Sequence, residues 1–231
     1  MTNLDTYKQQ AAEHALQYIR SGMIVGLGSG STASYLVRAL AGQLHDGRLR
    51  DIVGVPTSEA TEALASQLGI PLATLDERPE IDIALDGADE IDPALQLIKG
   101  LGGALLREKI VAASARRFVV LGDESKLVAQ LGSRAPVPVE VVAFGLPLCS
   151  RRLAELGGTP ALRRTPDGSP FRTDEGHVIL DCRFASIPDP IALNAALNAI
   201  PAVMEHGLFV GMAALAIVAG ANGISTLVRP E

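Results

Sequence analysis

The sequence predicts an α/β protein: a mainly parallel, doubly wound, Rossmann-like sheet with a smaller inserted α+β domain of ferredoxin-like type. Three observations predict it. Short Val-, Ile- and Leu-rich stretches alternate with helical periodicity from Met23 to Leu121. Aromatic residues make up only 3% of the chain and Trp is absent, so the core must be aliphatic, which suits parallel strands covered by helices. The rhythm then changes near Arg134, where Pro136 and Pro138 bracket a new extended stretch.

Taken in order, Ala12, Ala15, Leu16 and Ile19 fall at helical spacing within Asp5 to Arg20, and Ser21-Gly22 ends that helix. Met23 to Leu27 reads as a short apolar strand, followed by glycines and a helix from Ser31 to about Leu44. Ile52 to Val55 is a second strand, and Glu59 to Leu68 a helix stopped by Gly69. Strands at Ile81 to Leu85 and Phe118 to Leu121 flank a helix from about Ala104 to Ala115. This alternation is the signature of βαβ units. Beyond it come an extended Val137 to Val142, a helix from Leu146 to Leu156, a strand at Val178 to Cys182 and a helix from Pro190 to about Ala199. Ala214 to Val218 and Ile224 to Val228 surround an Asn222-Gly223 turn and are expected to return to the first sheet. The expected division is therefore residues 1–132 with 207–231 as the main domain and 133–206 as the small one.

Composition narrows the function. The 231 residues are 48% apolar and 20% charged, a globular balance that excludes wholesale disorder. The net charge is −6 with Lys and Arg scattered, so no basic face for nucleic acid is visible. Met1 to Gln10 has no signal-peptide core, and the apolar stretch Gly207 to Gly220 is too short to span a bilayer. A cytoplasmic protein without membrane partners is expected. Cys149 and Cys182 fit no metal spacing and read as reduced thiols. His14, His45, His177 and His206 are dispersed and read as packing or surface residues.

Four segments can carry chemistry. In Gly26-Leu27-Gly28-Ser29-Gly30-Ser31-Thr32-Ala33, glycines after a strand permit close backbone approach, and the following helix offers N–H groups to an anion. The spacing also satisfies a loose dinucleotide pattern, but no acid follows the second strand, so a phosphate is favoured over NAD. A capped helix after a glycine turn is the bland alternative. Asp86-Gly87-Ala88-Asp89-Glu90-Ile91-Asp92 follows the third strand at the edge where ligands bind. Its four carboxylates call for compensation by a cation or by proton-transfer work. Chemistry falls to Asp86 and Asp89, and a structural or solvated role to Glu90 and Asp92. The sharp alternative is a divalent metal.

Lys99-Gly100-Leu101-Gly102-Gly103 opens the helix that carries Glu108. A lysine beside such a loop can hold an anion or a developing oxyanion. Taken alone, Glu108 reads as a surface residue of a Glu-Lys helix, with Arg107 and Lys109 solvated. Gly122-Asp123-Glu124-Ser125-Lys126 follows another strand, and Lys126 either meets the same ligand or stays exposed. Together these loops suit acid–base chemistry on a small phosphorylated molecule.

GSGSTA, DGADEID, KGLGGALLREKI and GDESK, in that order, closely resemble the signatures of the ribose-5-phosphate isomerase A family. VPTSEAT, GIPL, PVEVV, TDEGHVILD and GLF extend the resemblance over nearly the whole chain. The resemblance implies an aldose–ketose isomerase that interconverts D-ribose 5-phosphate and D-ribulose 5-phosphate through an enediolate, with no metal and no cofactor. It implies that Glu108 is the proton-shuttling base, that Asp86 and Asp89 assist ring opening, and that Lys99 stabilises the enediolate. It implies substrate contacts for Ser29, Gly30, Ser31, Thr32, Gly87, Ala88, Gly100, Leu101, Gly102 and Lys126, and for Lys8 near the phosphate. A homodimer, or a tetramer made of two, is implied as well. The family usually places glycine at position 101, so a left-handed backbone at Leu101 would be strained. A sugar-phosphate sensor would need a DNA-binding module that the chain does not supply. A coenzyme A transferase, with a glutamate nucleophile, is opposed by the lysine and double-aspartate motifs.

Overall fold

The computed structural model describes residues 3–229. The chain begins with helix α1 (Asn3–Ala15), continued by a short 3-10 turn at Leu16–Tyr18. Strand β1 (Ile24–Leu27), helix α2 (Ser31–His45), strand β2 (Val53–Pro56) and helix α3 (Glu59–Gln67) follow. Next come β3 (Ile83–Gly87), β4 (Glu90–Ile91), β5 (Leu97–Ile98), α4 (Leu105–Ser114) and β6 (Phe118–Asp123). The order continues with β7 (Val137–Val141), α5 (Leu146–Glu155), β8 (Thr159–Leu162), β9 (Val178–Arg183), α6 (Pro190–Asn198) and β10 (Val203–His206). Strands β11 (Leu208–Phe209), β12 (Ala213–Gly220) and β13 (Gly223–Val228) complete the described chain.

The fold divides into two compact units. The first holds the chain through Ala88, Arg107–Lys126 and the part from Met212 onward. Its sheet has the order β13-β12-β6-β3-β1-β2, parallel except for the terminal β12–β13 hairpin. Strands β3 and β6 are buried along nearly their whole length, as expected of parallel strands covered on both faces. Helix α2 buries Leu36, Val37 and Leu40 completely. Burial of each such side chain is worth about 1.5–3 kcal/mol. Where α4 crosses β1, the close approach requires glycine: a Cβ at Gly26 would stand 2.6 Å from Val111 Cγ1.

The second unit comprises Asp89–Leu106 and Leu127–Gly211. Its antiparallel sheet runs β10-β7-β9-β8, and the chain order β7, α5, β8, β9, α6, β10 is the ferredoxin-like βαββαβ arrangement. A three-stranded ribbon, β11-β5-β4, adds Ile98 and Leu208 to the same core as Val139, Leu153 and Leu197.

This division differs from an insertion of residues 133–206. Asp89–Leu106 group with the second unit because β5 pairs with β11 and the Glu90 side chain binds the 132–135 loop. Two-residue strands have no periodicity to read, so β4, β5 and β11 are invisible in the sequence. Strand β8, Thr159 to Leu162, is half-exposed and contains a proline, which also hides it. The first helix stops at Ala15 rather than Arg20, with Ile19 already in extended backbone.

Candidate active site

In the first unit the site is built around Asp86, the last residue but one of β3. Parallel pairing sets Leu85 beside Leu27, which puts Asp86 next to the glycine turn after β1. Its Oδ1 accepts hydrogen bonds from the amides of Ser29 (3.0 Å) and Gly87 (2.7 Å). The carboxylate is buried, so it rests on these donors rather than on bulk water. Gly28 makes the approach possible, since a Cβ there would fall 2.2 Å from Asp86 Oδ1.

The Ser29 side chain turns toward the loop after β2. Its hydroxyl bonds Thr57 Oγ1 (2.8 Å) and Ser58 Oγ (2.7 Å), with Thr61 Oγ1 at 3.2 Å. Ser58 caps α3 by accepting from the Thr61 amide. Thr57 and Thr61 donate to the carbonyls of Leu27 and Gly28. This hydroxyl network braces the glycine turn, and sequence reasoning assigned it no role. Its signal was present: a Ser cap directly after the second strand, facing a Ser-rich turn. Gly30 has φ 91 and precedes α2, with Ser31 exposed and Thr32 buried in the first turn.

Glu108 lies in the first turn of α4 and is 6% exposed, which corrects the solvent-facing position that its Glu-Lys surroundings suggest. The direction of the helix explains its placement. The Ile81 amide, ahead of β3, donates to the Ser114 carbonyl, and the Arg116 amide donates back to the Ile81 carbonyl. The end of α4 thus sits at the beginning of β3, and its first turn points to the carboxyl side of the sheet. Val111 packs on Gly26, and Glu108 is one turn earlier on the same face. Arg107 and Lys109 are half-buried rather than solvated.

Lys126 closes a 3-10 turn after β6 and is half-buried. The turn is shaped by Asp123, whose Oδ1 accepts from the Ser125 amide at 3.0 Å and from its hydroxyl. Lys8, in the middle of α1, lies 3.7 Å from Asp5 Oδ1.

The acidic run passes into the second unit after Ala88, and its remaining carboxylates each have their own donors. Asp89 Oδ2 accepts from the Leu101 amide at 3.0 Å. Glu90 is fully buried and accepts from the amides of Gly132, Arg134 and Ala135 at 2.6–2.7 Å. Asp92 Oδ1 accepts from the amides of Ala94 and Gln96, and burial pushes its carboxyl above the usual range against those hydrogen bonds. Of the structural or solvated roles left open for Glu90 and Asp92, these hydrogen bonds favour the structural one. Among the described residues no cluster of three or more His, Cys, Asp or Glu side chains is placed to hold a metal ion.

Lys99 is 2% exposed, and its ammonium stands 5.4 Å from the centroid of the Phe209 ring. Its amide donates to the Gly207 carbonyl at 2.9 Å, and the Gly207 amide donates to the Pro138 carbonyl. The Gly-Leu-Phe segment thereby fixes the lysine, a role that three apolar residues do not announce. In the adjacent loop Gly100 (φ 95) and Gly103 (φ 88) are left-handed, and Cβ atoms there would meet Leu105 at 2.8 Å and Phe171 at 2.6 Å. Leu101 is not among the residues with positive φ, and its side chain is 44% exposed. The left-handed backbone that would have strained Leu101 is therefore not adopted. The buried thiols of Cys149 and Cys182 are free, and His177 and His206 serve the interior, His177 Nδ1 lying 2.9 Å from Glu140 Oε1.

Comparison with known proteins places the chain in a family. Residues 53–223 match the model of the family described as ribose 5-phosphate isomerase A (phosphoriboisomerase A). The chain is 65% identical over 225 residues to ribose-5-phosphate isomerase A of Roseiflexus sp. (strain RS-1), covering 97% of each. It is 54% identical to the protein of that name from Synechococcus sp. (strain JA-3-3Ab), covering 98% of this chain and 99% of the other. A D-ribose-5-phosphate isomerase solved in complex with phospho-erythronic acid superposes with a TM-score of 0.97 at 42% identity, over 99% of this chain and 100% of that one. Ribose 5-phosphate isomerase from Plasmodium falciparum superposes with a TM-score of 0.95 at 39% identity, over 99% and 100% of the two chains. The chain belongs to the ribose-5-phosphate isomerase A family.

Proposed function

We propose that this isomerase interconverts D-ribose 5-phosphate and D-ribulose 5-phosphate through an enediolate, with Glu108 as the general base. The observation that carries the proposal is the burial of Glu108 at the head of α4, one turn before Val111, which packs on Gly26. A carboxylate is a weak base in water, and removal from solvent brings its basicity nearer to what C–H abstraction needs.

The sugar binds as a ring and opens as the C1 hydroxyl proton leaves and the ring oxygen gains one, assisted by Asp86 and Asp89. Glu108 takes the proton from C2, and the electron pair moves through C1–C2 onto the aldehyde oxygen. Lys99 and loop amides stabilise that oxyanion. The C2 hydroxyl proton is then passed to O1, which becomes the C1 hydroxyl, as the C2 carbonyl forms and Glu108 returns a proton to C1. The reaction is redox-neutral and needs no external electron acceptor. Ser29 to Thr32, Gly87, Ala88, Gly100 to Gly102 and Lys126 bind the substrate, and Lys8 serves the phosphate.

The same reading includes a cytoplasmic homodimer, no metal and no cofactor, and it makes phospho-erythronic acid a competitive inhibitor. Turnover of ribose 5-phosphate in deuterated buffer with chelator present tests the chemistry. Solvent deuterium should enter the sugar at the carbons that exchange protons. Loss of activity to chelator would overturn the metal-free reading, and absence of exchange together with wild-type turnover in Glu108→Gln would point to transfer of hydride instead.

A further inference from the structure

We infer that Arg163 is a positioning residue for Asp89, acting through one peptide plane of the Lys99–Gly103 loop. The inference rests on the catalytic reading of Asp89 given above. The Gly100 carbonyl and the Leu101 amide belong to the same planar peptide unit. Arg163 Nη1 donates to the Gly100 carbonyl at 3.2 Å and to the Leu101 carbonyl at 3.0 Å. At the other side of that plane the Leu101 amide donates to Asp89 Oδ2 at 3.0 Å. Fixing the carbonyl end with a guanidinium therefore fixes the direction in which the N–H presents itself to the carboxylate.

Arg163 is itself held rigidly. Immediately after β8, it makes a two-pronged pair with Asp181 of β9, Nε to Oδ2 at 2.9 Å and Nη2 to Oδ1 at 2.5 Å. Its guanidinium lies 5.6 Å from the centroid of the Phe171 ring, and the Phe171 amide donates to the Arg163 carbonyl. The ring occupies the space that a Cβ at Gly103 would need. The loop has little packing of its own, since Leu101 is exposed and nothing lies within 4 Å of a Cβ at Gly102. Two left-handed glycines make such a loop pliable, and the arginine fork supplies the restraint. A lysine cannot copy it, having one point charge and no planar fork.

The test is a double-mutant cycle read in kcat and KM for ribose 5-phosphate, using Arg163→Met, Asp89→Ala and the double variant. Arg163→Met should lower kcat by about 10- to 100-fold, the scale of a small misplacement of a reacting group, with a smaller change in KM. In the Asp89→Ala background the same substitution should add almost nothing. Multiplicative losses in the double variant would overturn the inference while leaving Asp89 catalytic, as would unchanged kcat in Arg163→Met. Wild-type turnover in Asp89→Ala would instead remove the catalytic reading of Asp89, and this inference with it. If the Arg163→Met variant fails to fold, the cycle is run with Arg163→Lys, which keeps a cation beside Phe171 and loses the fork; the same outcomes decide.

Discussion

Gly28 lies so close to Asp86 that a Cβ on the glycine would stand 2.2 Å from the carboxylate Oδ1 and 2.6 Å from the Asp86 Cα. The second distance matters more, because a backbone atom cannot swing aside. Gly28→Ala must therefore push β1 and β3 apart or displace the Asp86 carboxylate. A stability loss of about 1–3 kcal/mol is expected from overpacking. In urea titrations and steady-state assays this variant should lose both stability and turnover. Gly30→Ala is the contrast: it meets open space, and only its φ of 91 opposes the change, at a cost of about 1–2 kcal/mol.

Glu108→Gln keeps the shape of the buried side chain and removes the base. Turnover should fall by about 10²–10⁴, with thermal stability close to wild type. Lys99→Ala removes the ammonium beside Phe209 and should lower kcat by about 10²–10³ if it stabilises the oxyanion. An effect confined to KM would make Lys99 a binding residue instead.

Leu101→Gly restores the residue that the family usually carries and should change little. The backbone at 101 is not left-handed, so glycine relieves no strain, and the side chain it removes is half in solvent. We expect kcat within about threefold of wild type and a stability loss of a few tenths to about 1 kcal/mol from the added freedom of the unfolded chain. A large gain in turnover would show that Leu101 impedes the substrate.

Burial pushes the Cys182 thiol up to about 12 from its ordinary value of 9.0. In the unfolded chain the thiol ionises near its ordinary value, so above that pH the folded state binds the extra proton. The associated stability is present below pH 9 and lost as pH rises from 9 toward 12, at up to about 1.4 kcal/mol per pH unit. Urea unfolding at about pH 8 and about pH 10 should show a steeper alkaline loss in wild type than in Cys182→Ala. Iodoacetamide should label neither cysteine in the native protein, as both are fully buried.

Most of the parallel framework was legible because each strand, its following turn and its helix lie within a few residues of one another. The turn after Leu27, the acids after Leu85 and the helix carrying Glu108 were all local patterns, and they fall where the alternation of strands and helices places them. The burial of Glu108 was not legible, since it depends on the helix face that packs on Gly26. The division of labour within the acidic run was only partly so. Which donors meet Glu90 is settled by Gly132, Arg134 and Ala135, more than 40 positions away.

The sequence by itself determined the sheet type, the order of the loops and the kinds of group they carry, because hydrophobic periodicity and turn chemistry act over short stretches of chain. Only the tertiary structure decided that the Ser29 hydroxyl engages Thr57 and Ser58, that the backbone at Leu101 is unstrained, and that Arg163 grips the loop beside Lys99. These are contacts between distant segments. Their geometry follows from how strands and helices pack, and no spacing of neighbouring residues encodes it.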